Sequence, residues 1–189
     1  MLSNEQIETI LKQGEAAADR VASAPGLRSG DGVGKRPTKM HIAVVARDGS
    51  FIKMLSQPDA WEGSRDIAIA KARTAAFFSS DENALTSRVI GTLSQVSTGA
   101  DGKIETGTLW GIGQSNQVGI TGDANSRNGI ITFPGGVPLY VNGKLVGGVG
   151  VSGDGVDQDE AVAFGAAVGF EPGDNTVKLG MVAPAVEEV

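Results

Sequence analysis

Pro138-Leu139-Tyr140-Val141-Asn142-Gly143-Lys144-Leu145-Val146-Gly147-Gly148-Val149-Gly150-Val151-Ser152-Gly153, residues 138–153, places two apolar runs on either side of Asn142-Gly143. Both central residues of a type I′ turn need positive φ, and Asn-Gly tolerates this best, so the stretch predicts an antiparallel hairpin. Its second arm runs into Gly148, Gly150 and Gly153, a G-x-G-x-x-G pattern between an apolar strand and a following helix. Dinucleotide-binding turns share that pattern, but there a parallel strand follows. Here the strand arrives through a tight hairpin, and the remaining length offers no clear parallel partner. The glycines are therefore read first as places where helix and sheet backbones approach. The functional alternative is a ligand anion at the N-terminus of the last helix, where unpaired N–H groups point outward.

Upstream, Ile130 to Phe133 has strand character and Pro134 to Pro138 kinks it; downstream, a helix begins near Val156. His41 to Ala46 is an apolar, β-branched run ending in Asp48-Gly49, with Phe51 to Leu55 after it, a second strand-turn-strand signature. Ser3 and Gln6 have capping-box spacing, and the apolar residues from Ile7 to Val21 recur at helical intervals, which predicts a helix from Asn4 to Ala22. Ile67 to Phe77 predicts an Ala-rich helix able to pack closely on a sheet. Ser80 with Asn83 suggests the cap of a short helix reaching Ile90. Residues 23–38, rich in Gly, Pro and Ser, read as a mobile linker, 91–128 as a long loop, and 171–189 as a tail that is either partly ordered or an interaction arm, within a single domain spanning 1–189.

The chain has 189 residues and a formal charge of −6, which argues against binding to a nucleic-acid backbone. There is no cysteine, so disulfides, Cys-ligated zinc and thiol chemistry are excluded. No stretch approaches 18 apolar residues, and Met1 to Lys12 is polar and amphipathic; a cytoplasmic protein without membrane contact is expected.

Four pieces of sequence occur in order: Ile42-Ala43-Val44-Val45-Ala46-Arg47-Asp48-Gly49, Ala70-Lys71-Ala72-Arg73-Thr74-Ala75, Gly135-Gly136-Val137-Pro138, and Gly148 to Gly153 ahead of Asp159-Glu160. Together they resemble the GlcG/HbpS (haem-degrading) family, also seen as the C-terminal domain of PduO-type adenosyltransferases. The resemblance implies an α/β (α+β), profilin-like fold, with a central antiparallel sheet flanked by helices, and assembly into a homo-oligomer. It also implies haem as a cofactor that some members bind.

The candidate site follows from these motifs. Lys71, Gly135, Gly136, Gly150, Ser152, Gly153 and Asp159 are expected to converge on a small-molecule pocket, roofed by part of 91–128 and bordered by Phe77, Trp110 and Phe133. Lys71 would meet a ligand carboxylate or instead snorkel into solvent. Lys71 and Arg73 are two apart on one helix, so one of them should be solvated. Asp159 would act as acid or base. Asp154, Asp157, Asp159 and Glu160 lack calcium-loop spacing and are explained by the helix dipole, so no metal is expected. His41, the sole histidine, is either a half-buried strand residue or a haem ligand or general base. Two functions remain open: a small-ligand protein that binds or degrades haem, and a cofactor-independent isomerase or lyase acting on a mainly apolar metabolite.

Overall fold

The computed structural model describes residues 1–28, 35–112 and 129–189. Its centre is a four-stranded antiparallel sheet of β1 (His41–Ala46), β2 (Phe51–Ser56), β6 (Gly136–Val141) and β7 (Lys144–Ser152), in the order β2-β1-β7-β6. The β6–β7 hairpin turns at Asn142 and Gly143 with φ of 51° and 73°, the two positive values a type I′ turn requires. Gly143→Val should lower the unfolding free energy by about 1 kcal/mol; an unchanged melting temperature would contradict this.

Alternation along the strands divides the sheet into two unlike faces. Ile42, Val44, Val149 and Val151 pack against α1 (Asn4–Ala18) and α4 (Val156–Ala166) to form the main core. On the opposite face Val45 meets Ala72 and Ala76 of α2 (Ser64–Phe78), and the glycines of β7 lie beneath that helix. A Cβ on Gly148 would fall 2.4 Å from the Ala72 carbonyl oxygen. Gly148 and Gly150 thus serve helix-to-sheet approach in an antiparallel sheet.

Local signals place most elements. Ser3 caps α1 with the full capping box, and the helix stops at Ala18, four residues short of the expected Ala22. Elsewhere the chain departs from expectation. Ser80 does not cap a helix; its hydroxyl accepts from the Glu82 and Asn83 N–H groups in a turn before β3 (Asn83–Leu85). Thr86 caps the following helix, α3 (Ser87–Leu93). The expected loop begins inside α3 and contains a hairpin, β4 (Val96–Thr98) with β5 (Ile104–Thr106), after which Gly107 and Leu109 bond back to Gln95 and Leu93; residues 113–128 lie outside the described residues. Ile131 does not join a strand, because its N–H and carbonyl are both engaged by the Thr74 hydroxyl on α2.

The tail is ordered. β8 (Val177–Leu179) pairs in parallel with β3, and Glu188 bridges Val21. The stretch read as a linker is tied at both ends by the Ala22–Pro37 bridge; residues 29–34 lie outside the described residues. Among the described residues no helix is long and apolar enough to cross a membrane.

Candidate functional site

Lys71 projects from the middle of α2 toward the last residues of β7. Its Nζ lies 2.7 Å from Asp159 Oδ2, 3.0 Å from the Val151 carbonyl oxygen and 3.4 Å from Ser152 Oγ. An ammonium has three donors, so these contacts occupy all of them. The Lys71 and Asp159 side chains are 1% and 3% exposed, and the snorkelling alternative is thereby overturned. Burial pushes the Asp159 carboxyl up to about 6 against the opposing pull of Lys71, and burial also lowers the Lys71 ammonium below its ordinary value.

Gly135 makes room for this pair, and Gly153 lets the end of β7 approach the Lys39 backbone. Gly135 has φ of 122°, and a Cβ there would meet Lys71 Cδ and Nζ at 3.1 Å and the Val151 carbonyl oxygen at 2.6 Å. Gly153 has φ of 155°, and its Cβ would fall 2.2 Å from the Lys39 carbonyl oxygen.

Asp159 also accepts, through Oδ1, the Asp154 N–H at 3.0 Å. The buried Asp154 carboxylate in turn accepts from Ser23 Oγ (2.6 Å), the Ala24 N–H (2.7 Å) and its neighbour Gly155 N–H (2.8 Å). The polar chain Lys71–Asp159–Asp154 therefore fixes the segment Ser23 to Arg28 over the end of β7. Above it opens a cavity of about 510 Å³, walled by Leu27, Trp61, Ile67, Phe133 and Val156 and edged by Arg28, Ser64, Ser152, Gly153 and Asp154, with Lys71 and Asp159 at its floor.

The model of the family described as haem degrading protein HbpS-like matches residues 31–167. The chain belongs to that family. This HbpS-like chain is 32% identical over 122 residues to an uncharacterized 15.0 kDa protein of the dhaT-dhaS intergenic region of Citrobacter freundii, covering 65% of this chain and 69% of that one. The fold is similar to that of PduOC in complex with haem, with TM-score 0.60, 22% identity, and 91% and 96% of the two chains covered. It is also similar to a double mutant of Streptomyces reticuli HbpS, with TM-score 0.55, 21% identity, and 88% and 85% covered.

Within this HbpS-like fold, Lys71, Ser152, Gly153 and Asp159 all line the cavity. Gly135 and Gly136 lie behind it: a Cβ on Gly136 would fall 2.2 Å from the Lys71 carbonyl oxygen. Gly150 lies beneath α2. Phe77 and Trp110 are not among the cavity's lining residues; the Phe77 ring covers Gly49. His41 is 2% exposed, with Nδ1 2.8 Å from Ser56 Oγ and Nε2 2.9 Å from the Trp61 carbonyl oxygen. It anchors the loop that presents Trp61. Arg73 is also buried rather than solvated, donating from Nε to the Gly49 carbonyl at 3.1 Å.

Glu160 turns away from the Lys71 pair to Arg88, whose Nε donates to its Oε2 at 2.5 Å, while Asp157 takes the same guanidinium. Burial raises the Glu160 carboxyl, and Arg88 opposes this. Sequence reasoning missed Leu27, Arg28, Trp61, Ile67, Ser64 and Val156 as lining residues. The usable signal was Trp61, a large apolar ring in a Pro-containing loop.

Proposed function

We propose that the cavity binds a small, mainly apolar ligand, with haem the first candidate. The observation that carries this reading is an apolar-walled space of about 510 Å³ over a buried, internally saturated ion pair. That size and lining suit a ligand site. Support for haem comes from membership of the HbpS-like family and from the similar fold of PduOC, solved with haem.

The residues fit the organic part of haem. Leu27, Trp61, Ile67, Phe133 and Val156 would hold an apolar macrocycle, and Arg28 is placed to meet a carboxylate at the rim. They do not offer the iron an imidazole, because both nitrogens of His41 are engaged within the fold. Tyr140 is likewise committed, its hydroxyl donating to the Ser80 carbonyl at 2.8 Å. Bound haem would supply a redox-active iron open to small exogenous ligands.

Hemin added to the purified protein is expected to give a stoichiometric Soret band that His41→Ala leaves unchanged. Loss of the band in a folded His41→Ala protein would instead assign the iron to His41. No Soret band in the wild type would remove haem from the reading.

In this reading Lys71, Asp159 and Asp154 position the segment that forms the rim. A second reading, an acid–base isomerase or lyase, is favoured by the Asp159 carboxyl standing near neutrality beside the cavity. Turnover of a carbonyl substrate that vanishes in Asp159→Asn would establish it. Homo-oligomer formation belongs to the same proposal: Leu27, Trp61, Phe133 and Val156 leave large apolar areas exposed at the rim.

A further inference from the structure

The polar groups around the cavity differ in what they have left to offer. All three Lys71 donors are engaged, both Asp159 oxygens accept, and Asp154 holds three short bonds besides its ion pair with Arg28. Arg28 is different. Its Nε stands 3.8 Å from Asp154 Oδ2, an ion pair beyond hydrogen-bond distance, and among the described residues only Nη2 donates, to the Asp59 carbonyl at 2.9 Å. A guanidinium carries five N–H donors, so most of its capacity is unspent. The side chain is 24% exposed where it edges the cavity.

Ser64 supplies an independent observation. It is 3% exposed and lines the same cavity, and its hydroxyl makes no hydrogen bond among the described residues. It is the first residue of α2, a 15-residue helix whose N-cap, Gly63, provides no side-chain acceptor. The positive end of the helix dipole, this hydroxyl and the Arg28 guanidinium therefore border one cavity, with the Ser64 and Arg65 N–H groups already bonded to the Trp61 and Glu62 carbonyls.

We infer that Arg28 and Ser64 form an anion subsite, so that the preferred ligand is an apolar molecule bearing a carboxylate or sulfonate-like group. Arg28 is its specificity-determining residue. This rests on the reading of the cavity as a ligand site, and it holds for tetrapyrrole carboxylates and for smaller aromatic acids alike. The arrangement also gives the Ser23 to Arg28 segment a purpose: Asp154 anchors its start, and its end carries the cation.

The test uses a Trp110→Phe background, in which Trp61 at the cavity is the remaining tryptophan, and follows its quenching by two dyes. Anilinonaphthalene sulfonate carries an anion, and N-phenylnaphthylamine has the same apolar body without it. The anionic dye should bind at least about tenfold more tightly. Arg28→Ala should remove most of that preference, and Ser64→Ala part of it, each read as the ratio of the two dyes' affinities in protein whose circular dichroism shows it folded. Equal binding of the two dyes, or a preference that survives both substitutions, would overturn the subsite. If hemin still binds, the subsite alone falls; if hemin and both dyes are refused, the cavity reading falls with it.

Discussion

Lys71→Met is expected to destabilise the protein by about 3–5 kcal/mol, because it leaves the buried Asp159 carboxylate without its cation. The substituted side chain is similar in length and apolar, so the loss reports the charge left behind rather than a cavity. The effect has a pH signature. In the wild type the Asp159 carboxyl already lies at about 6, above its ordinary 3.8, and Lys71 is what holds it from rising further. A folded-state value above the unfolded one gives stability that is present at low pH and lost as pH rises through the folded value. Removing Lys71 extends that window upward. The variant should therefore lose more stability at about pH 8 than at about pH 5. Adding Asp159→Asn should recover most of the loss at the higher pH. Urea denaturation at the two pH values measures all three proteins; a Lys71→Met protein as stable as the wild type at both would show that the pair contributes nothing to the fold.

Gly150→Ala should be nearly as damaging, lowering stability by about 3 kcal/mol or more, despite adding a single methyl group. The new Cβ would fall 2.0 Å from the Ala68 carbonyl oxygen and 2.5 Å from the Ala72 backbone nitrogen. Those atoms belong to the α2 backbone, and no rotamer change relieves the overlap. The helix must lift, carrying with it Ser64, Ile67 and Lys71 along one side of the cavity. Reduced hemin uptake together with a lower urea midpoint is the expected result. A midpoint within error of the wild type would mean that α2 can shift at no cost.

What was legible in the sequence was local. Asn142-Gly143, the Ser3–Gln6 capping box and the glycine alternation of β7 each act over a few residues, and each stands as read. The order of motifs placed Lys71 and Asp159 together because both bear on the end of β7. What was not legible depends on contacts remote in the chain. Ile131 reads as a strand by composition, yet its backbone groups are taken by the Thr74 hydroxyl, 57 positions away. Arg28 looks like one charge in a polar stretch; only Asp154, bonded to Ser23 and Ala24 some 130 positions earlier, brings it to the cavity. Phe77 and Trp110 were assigned to the pocket on aromatic character alone, which carries no direction. Arg73 misled for a related reason, since helical spacing separates it from Lys71 without showing that the β1–β2 turn covers it.

The pairing of Val21 with Glu188 also governs when the site can be assembled during synthesis. The Ala22 N–H donates to the Glu187 carbonyl at 2.8 Å, and the Val189 N–H to the Arg20 carbonyl at 2.9 Å. The backbone just ahead of Arg28 thus receives these partners only after residue 189 has left the ribosome. Translation proceeds from the N-terminus, so α1 and the β1–β2 hairpin can begin to form while the cavity still lacks its rim. A chain lacking residues 187–189 would keep the Asp154 anchor at Ser23 and Ala24 but lose both backbone bonds that hold residues 20–22, the stretch that leads into the rim.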